Sequence, residues 1–148
     1  MQDLTPIHGD DRALEALLAA LRDQNWFVRM RAVKLLAALR QPGAAEALET
    51  AARSDDDEDV REEALVALAT LAPERALPAL LRGLRDEDSW VRERVASLLG
   101  ELGDRRALPA LLRAMQGREE DVAAAAADAV EKLTSAAAGG PKAERRKD

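Results

Sequence analysis

Cysteine is absent from this 148-residue chain. That excludes disulfides and thiolate chemistry, and it fits a reducing, cytoplasmic setting. Histidine occurs once, at His8 beside Asp10 and Asp11. A metal centre needs two or three further ligands held in geometry, so His8 is read as chance placement in an N-terminal arm. With no cysteine and an isolated histidine, no side chain stands as a nucleophile with its base. Tyrosine is also absent, and Trp26, Phe27 and Trp90 are the only aromatics. No stretch approaches about 18 apolar residues free of charge, so no membrane span is expected. The first eight residues lack a basic stretch leading into an apolar run, so no signal peptide is expected. Positive charge is not in excess either. The net charge of −6 opposes general nucleic-acid binding, which draws on displaced counterions.

Hydrophobic residues make up 47 % of the chain, enough to exclude disorder throughout. Ala, Leu, Arg, Glu and Asp dominate, and all but Asp favour helix. These residues recur in a fixed order. Val28, Val60, Val91 and Val122 follow one another at spacings of 32, 31 and 31. Upstream of each valine lies one block, starting at Ala13, Ala44, Ala76 and Ala107 and ending at Leu17, Leu48, Leu80 and Leu111. Downstream comes a second apolar series. It reads Ala32, Leu35, Leu36, Leu39 in the first unit and Ala64, Leu68, Leu71 in the second. The third has Val95, Leu98, Leu99, Leu102, and the fourth Ala126, Ala129, Val130, Leu133.

Offsets of three and four are helical, and the alternation of a strand is missing. The spacing predicts helix pairs near 11–22 with 26–39, 44–53 with 58–71, 75–85 with 89–102, and 106–116 with 120–134. Asp, Asn and Ser in the turns inside each pair cap the following helix. Pro and Gly between pairs stop the preceding one. Pro78 and Pro109 belong in a first turn, where a missing N–H costs little, which places helix starts near Arg75 and Arg106. A single pair cannot hide its apolar stripe, whereas stacking the next pair on it can. The expected fold is an all-α solenoid of four two-helix repeats at 10–40, 41–71, 72–102 and 103–134. Residues 1–9 are expected as an arm or partial cap, and 135–148, with Gly139-Gly140-Pro141, as a disordered tail.

The repeat resembles the HEAT family, in its short form named after phycobilisome lyases. The resemblance rests on Ala-Leu-x-Ala-Leu-Leu-x-x-Leu-x-Asp, then Val-Arg, then Ala-x-x-Leu-Leu-x-x-Leu-Gly-Asp. It covers about residues 11–133. Unit three carries it best, with Asp86, Val91, Arg92 and Leu98 to Leu102. Unit four departs most, with Gly117 in place of the acid and Ala123 in place of the arginine. The resemblance implies a right-handed superhelix whose second helices line a concave side that holds a protein or peptide. It speaks for fold and says little of function.

Arg29, Arg61 and Arg92 follow the repeated valine. They are expected to bond the turn acids and carbonyls around Asp23, Asp55 and Asp86, because acid and arginine recur together. Recognition is expected on the exposed ridge of the second helices. Its residues are Trp26, Phe27, Arg31 and Lys34 in unit one, Glu63 in unit two, and Trp90 with Arg94 in unit three. Aromatic and arginine side chains are the usual anchors of interfaces. The acidic run Asp55 to Asp59 lacks the spacing of a calcium loop and is read as a capping turn. The basic cluster near Arg145 is read as a solubilising end.

The expected function is a protein-binding scaffold, monomeric, without cofactor or catalysis, and the partner is another protein. Alternatives implied by the resemblance are a lyase-like or chaperone role in bilin attachment and a nucleic-acid-binding solenoid. The iron-dependent hydroxylases of this family carry repeated His-Glu pairs, and this chain has none.

Overall fold

The computed structural model describes residues 11–145. Among the described residues the elements are α1 (Asp11–Ala20), α2 (Trp26–Ala38), α3 (Ala45–Ser54), α4 (Glu58–Leu71), α5 (Pro73–Gly83), α6 (Ser89–Leu102), α7 (Leu108–Met115) and α8 (Glu120–Arg145). Single 3₁₀ turns, Pro42–Ala44 and Arg105–Ala107, precede α3 and α7. No described residue is in a strand. The fold class is the all-α solenoid, built from helix pairs.

Three second helices begin in one way. The N-cap side chains of Asn25, Asp57 and Asp88 accept the N–H of Phe27, Asp59 and Trp90. An acid two residues earlier shapes each turn by accepting the N-cap residue's own N–H. These bonds are Asn25 N to Asp23 at 2.8 Å, Asp57 N to Asp55 at 3.0 Å and Asp88 N to Asp86 at 2.9 Å. The spelling Asp-x-Asn/Asp therefore fixes both the turn and the helix start.

The chain forms two compact units, one through Ala79 and the other from Leu80. In the first, α1 packs on α2, α2 on α4 and α3 on α4. Val33, Leu36, Leu48, Val60, Leu65 and Leu68 are its fully buried centre. In the second, α6 and α7 both pack on α8. Leu80, Val91, Val95, Leu99 and Leu111 are fully buried there. Each such side chain contributes roughly 1.5–3 kcal/mol by leaving water. In α8, Val122, Ala126, Ala129 and Leu133 are the buried face. Small residues suffice there because the helices approach closely: a Cβ built on Gly100 of α6 would stand 2.9 Å from the Ala129 Cα.

In three places the helices differ from the spacing. Pro78 lies inside α5, because that helix begins at Pro73 rather than near Arg75. Pro73 already fills the first position, where proline is well placed, and Ala72 accepts the Arg75 N–H at 2.8 Å in a tight first turn. Pro109 does sit in the first turn of α7, which starts at Leu108. The helix α8 extends through Arg145, past position 135 where the tail is expected to begin. Ala136, Ala137 and Ala138 have the strongest helix preference of any residue, so nothing at 135 halts the helix. Residues 146–148, and the expected arm at 1–9 with His8, lie outside the described residues.

Leu35 is the third difference. Its periodicity places it with the core of α2, yet it is 42 % exposed. Its equivalents seven residues after each later valine, Ala67, Leu98 and Ala129, are buried. Ala129 shows what that position meets, since it faces Gly100 on the second helix of the preceding repeat. The first repeat has no preceding repeat among the described residues, so Leu35 faces outward. Leu17 is half-buried for the same reason, whereas Leu48, Leu80 and Leu111 are fully covered.

Candidate binding face and the arginine ladder

The recurring arginines are held by the turns. Arg29 donates from Nη1 to the carbonyls of Asp23 and Gln24, at 2.8 and 3.2 Å. Its Nε and Nη2 meet Asp55 of the next repeat at 2.9 and 3.1 Å, and Nη2 also reaches Asp56 at 3.0 Å. Arg61 donates from Nη1 to the Asp55 carbonyl at 2.8 Å and is itself buried. Arg92 bonds the Asp86 carbonyl and, in the next repeat, Glu119. Each arginine thus ties down the turn before its own helix. Arg29 and Arg92 also reach an acid about one repeat further along.

Two of these acids lie outside the ladder expected from the sequence, although Asp56 belongs to the acidic run read as a capping turn. Asp56 stands beside Asp55. Glu119 lies two residues after Gly117, the place where unit four lacks the repeated acid, and the long guanidinium arm reaches it there. Among the described residues no arginine bonds the Asp23 carboxylate; its carbonyl accepts Arg29, and its carboxylate shapes the turn. The hydrogen bond with Asp55, with the nearby acids adding, holds the Arg29 pKa above its ordinary value. These cations are committed to the fold and leave little for a polyanion to bind.

The ridge of the second helices is different. In α2, Phe27, Arg31 and Lys34 are exposed. Trp26 meets Phe27 edge-on, with ring centroids 5.8 Å apart, and the Arg31 guanidinium lies 5.7 Å from the Phe27 centroid. Trp26 and Phe27 remain 43 % and 47 % exposed despite those contacts. The geometry is that of an aromatic pair with a cation over one ring. On neighbouring α4, Asp59 is exposed and Glu63 half-buried. In the second unit, the second residue of α6 is Trp90, which is 70 % exposed, and Arg94 is exposed one turn on. Beside it on α8, Asp121 and Asp128 are exposed. Both ridges therefore set an aromatic and a cation on one helix against carboxylates on the next.

Among the described residues no three His, Cys, Asp or Glu side chains cluster so as to hold a metal ion. None of the described helices is long and apolar enough to cross a membrane.

A family model described as HEAT repeats matches residues 6–69 and 51–131. Among solved structures, human deoxyhypusine hydroxylase in complex with glycerol is similar at 28 % identity and a TM-score of 0.74. The match covers 88 % of this chain and 46 % of that one, so this chain spans less than half of the hydroxylase's length. The complex of CpcE and CpcF of phycocyanin lyase from Nostoc sp. PCC7120 is similar in fold, at 21 % identity and a TM-score of 0.57. That match covers 91 % of this chain and 70 % of the other. A comparison with curated proteins gives no match.

Proposed function

Because this chain belongs to the HEAT-repeat family, we propose that it is a protein-binding module that recognises its partner through the exposed ridge of its second helices. The observation carrying this reading is Trp90. A tryptophan that is 70 % exposed on a well-capped helix stabilises its own fold little, and covering it on binding removes a large apolar area from water. Arg94 one turn on and Asp121 and Asp128 on α8 supply polar contacts of both signs around it. The partner is accordingly a protein surface of mixed charge. Duplex nucleic acid fits less well, because the α2 cations share their unit with the acids of α4, and Arg29 is already bonded to Asp55.

The test is affinity capture from the native cell with the full chain as bait. Trp90→Ala and Arg94→Glu abolish capture of the specific partner while the helical circular dichroism stays at the wild-type value. Undiminished capture by both variants overturns the reading.

A further inference from the structure

The fold builds the same groove between successive first helices in each unit, and only one of the two grooves is basic. In the first unit the groove is lined by Leu18, Leu21 and Arg22 on one side and Ala47, Thr50 and Ala51 on the other, with Ser54 and Asp55 at its end. In the second unit Leu81, Arg82, Leu84 and Arg85 face Ala110, Arg113 and Ala114 across about 690 Å³. Leu81 and Leu84 stand where Leu18 and Leu21 do, and Ala110 and Ala114 where Ala47 and Ala51 do. The apolar floor is therefore common to both. The grooves differ in charge at one repeat position, where Arg82 replaces Ala19 and Arg113 replaces Thr50, and at the end that Ser54 and Asp55 close in the first groove alone.

Arginine near a helix C-terminus is ordinarily explained by the helix dipole. That explanation applies equally to the first unit, where alanine and threonine serve at the same position. The fold does not require the cations. Arg82, Arg85 and Arg113 are all exposed, and none of their guanidinium groups has an ion pair or hydrogen bond among the described residues. Asp86, the nearest acid in sequence, turns its carboxylate to the Asp88 N–H. Three unpaired guanidinium groups over an aliphatic floor, in a chain of net charge −6, make a local field of opposite sign to the molecule.

We propose that this groove on the first helices is a second docking site, which takes an acidic peptide segment of a partner protein. Carboxylates pair with guanidinium groups in a planar, two-point fashion, and intervening aliphatic side chains cover Leu81 and Leu84. The proposal is independent of the ridge of the second helices.

The experiment is fluorescence anisotropy of the full chain with a fluorescein-labelled peptide of alternating Glu and Leu. Saturable binding is expected, and the paired change Arg82→Glu with Arg113→Glu weakens it at least about tenfold. Arg82→Gln with Arg113→Gln weakens it in the same direction with less disturbance, and Arg22→Glu in the first unit's groove leaves it within about twofold. A melting curve at the wild-type position shows that each variant is folded. Three results overturn the proposal: no saturable binding, equal binding of the corresponding Gln and Leu peptide, or equal and equally arginine-dependent binding of a duplex oligonucleotide.

Discussion

Arg29 and Asp55, 26 residues apart in sequence, meet through two parallel hydrogen bonds, Nε to Oδ2 at 2.9 Å and Nη2 to Oδ1 at 3.1 Å. Both side chains are largely shielded from water, at 12 % and 8 % exposure. The pair joins the first helix pair to the second. Asp55 also shapes its own turn, because the same carboxylate accepts the Asp57 N–H and its carbonyl accepts Arg61. One acid therefore serves a turn and a junction together. Replacing Asp55 by alanine leaves Arg29 without its main partner and loosens the start of α4. The expected cost is about 2–4 kcal/mol in urea unfolding. With Asp55 in place, Arg29→Lys keeps only part of the pair's stabilisation, because an ammonium group cannot make both bonds in one plane. A cost for Asp55→Ala near that of an exposed turn residue contradicts this reading.

Gly100 tests how closely α6 and α8 must approach. Alanine normally stabilises a helix interior by about 1 kcal/mol relative to glycine. Here the added Cβ stands 2.9 Å from the Ala129 Cα and 3.0 Å from its Cβ, so backbone must move. Overpacking of that kind costs roughly 1–3 kcal/mol. Gly100→Ala is therefore expected to lower stability in urea or thermal unfolding. A rise in stability shows that the second unit closes less tightly than this geometry states.

Acid exposes a different contact. Asp104 accepts the Arg106 N–H at 3.0 Å and bonds its guanidinium, with Nη2 to Oδ2 at 2.7 Å. The Arg106 side-chain bond, aided by the backbone N–H, lowers the Asp104 pKa from 3.8 to about 2. A lowered folded-state pKa adds stability that is fully present above the unfolded value and fades as the pH falls through the folded one. Asp104→Asn should thus flatten the pH dependence of stability between 3.8 and about 2, with little change in slope above that window. An unchanged slope inside the window removes the contact's role.

Much of this molecule is legible in its sequence, because its physics repeats. The period of valine and leucine fixes helix over strand, and the Asp-x-Asn/Asp turns mark the starts of α2, α4 and α6. Departures arise where a repeat meets no equal neighbour. Leu35 reads as core by periodicity, but its burial depends on a preceding repeat. The recurring arginines and turn acids can be read as a set, whereas which carboxylate meets which guanidinium depends on stacking that local spacing does not contain. The pairing of Arg92 with Glu119 is not readable from the spacing, because Glu119 lies two residues from the repeated acid's place, within reach of a long side chain. Exposure of Trp90 and Arg94 follows from their place one residue before and three after the buried Val91. What they bind is not encoded in that pattern.

Positions that recur from repeat to repeat carry the fold, and exposed positions that vary are free for recognition. Paired thermal melts of the full chain test this most directly, comparing Arg92→Ala with the double change Trp90→Ala and Arg94→Glu. Arg92→Ala loses the bonds to the Asp86 carbonyl and Glu119 and melts several degrees lower, while the double variant melts within about a degree of wild type. The opposite order, with the ridge variant unfolding early and Arg92→Ala unaffected, contradicts the account.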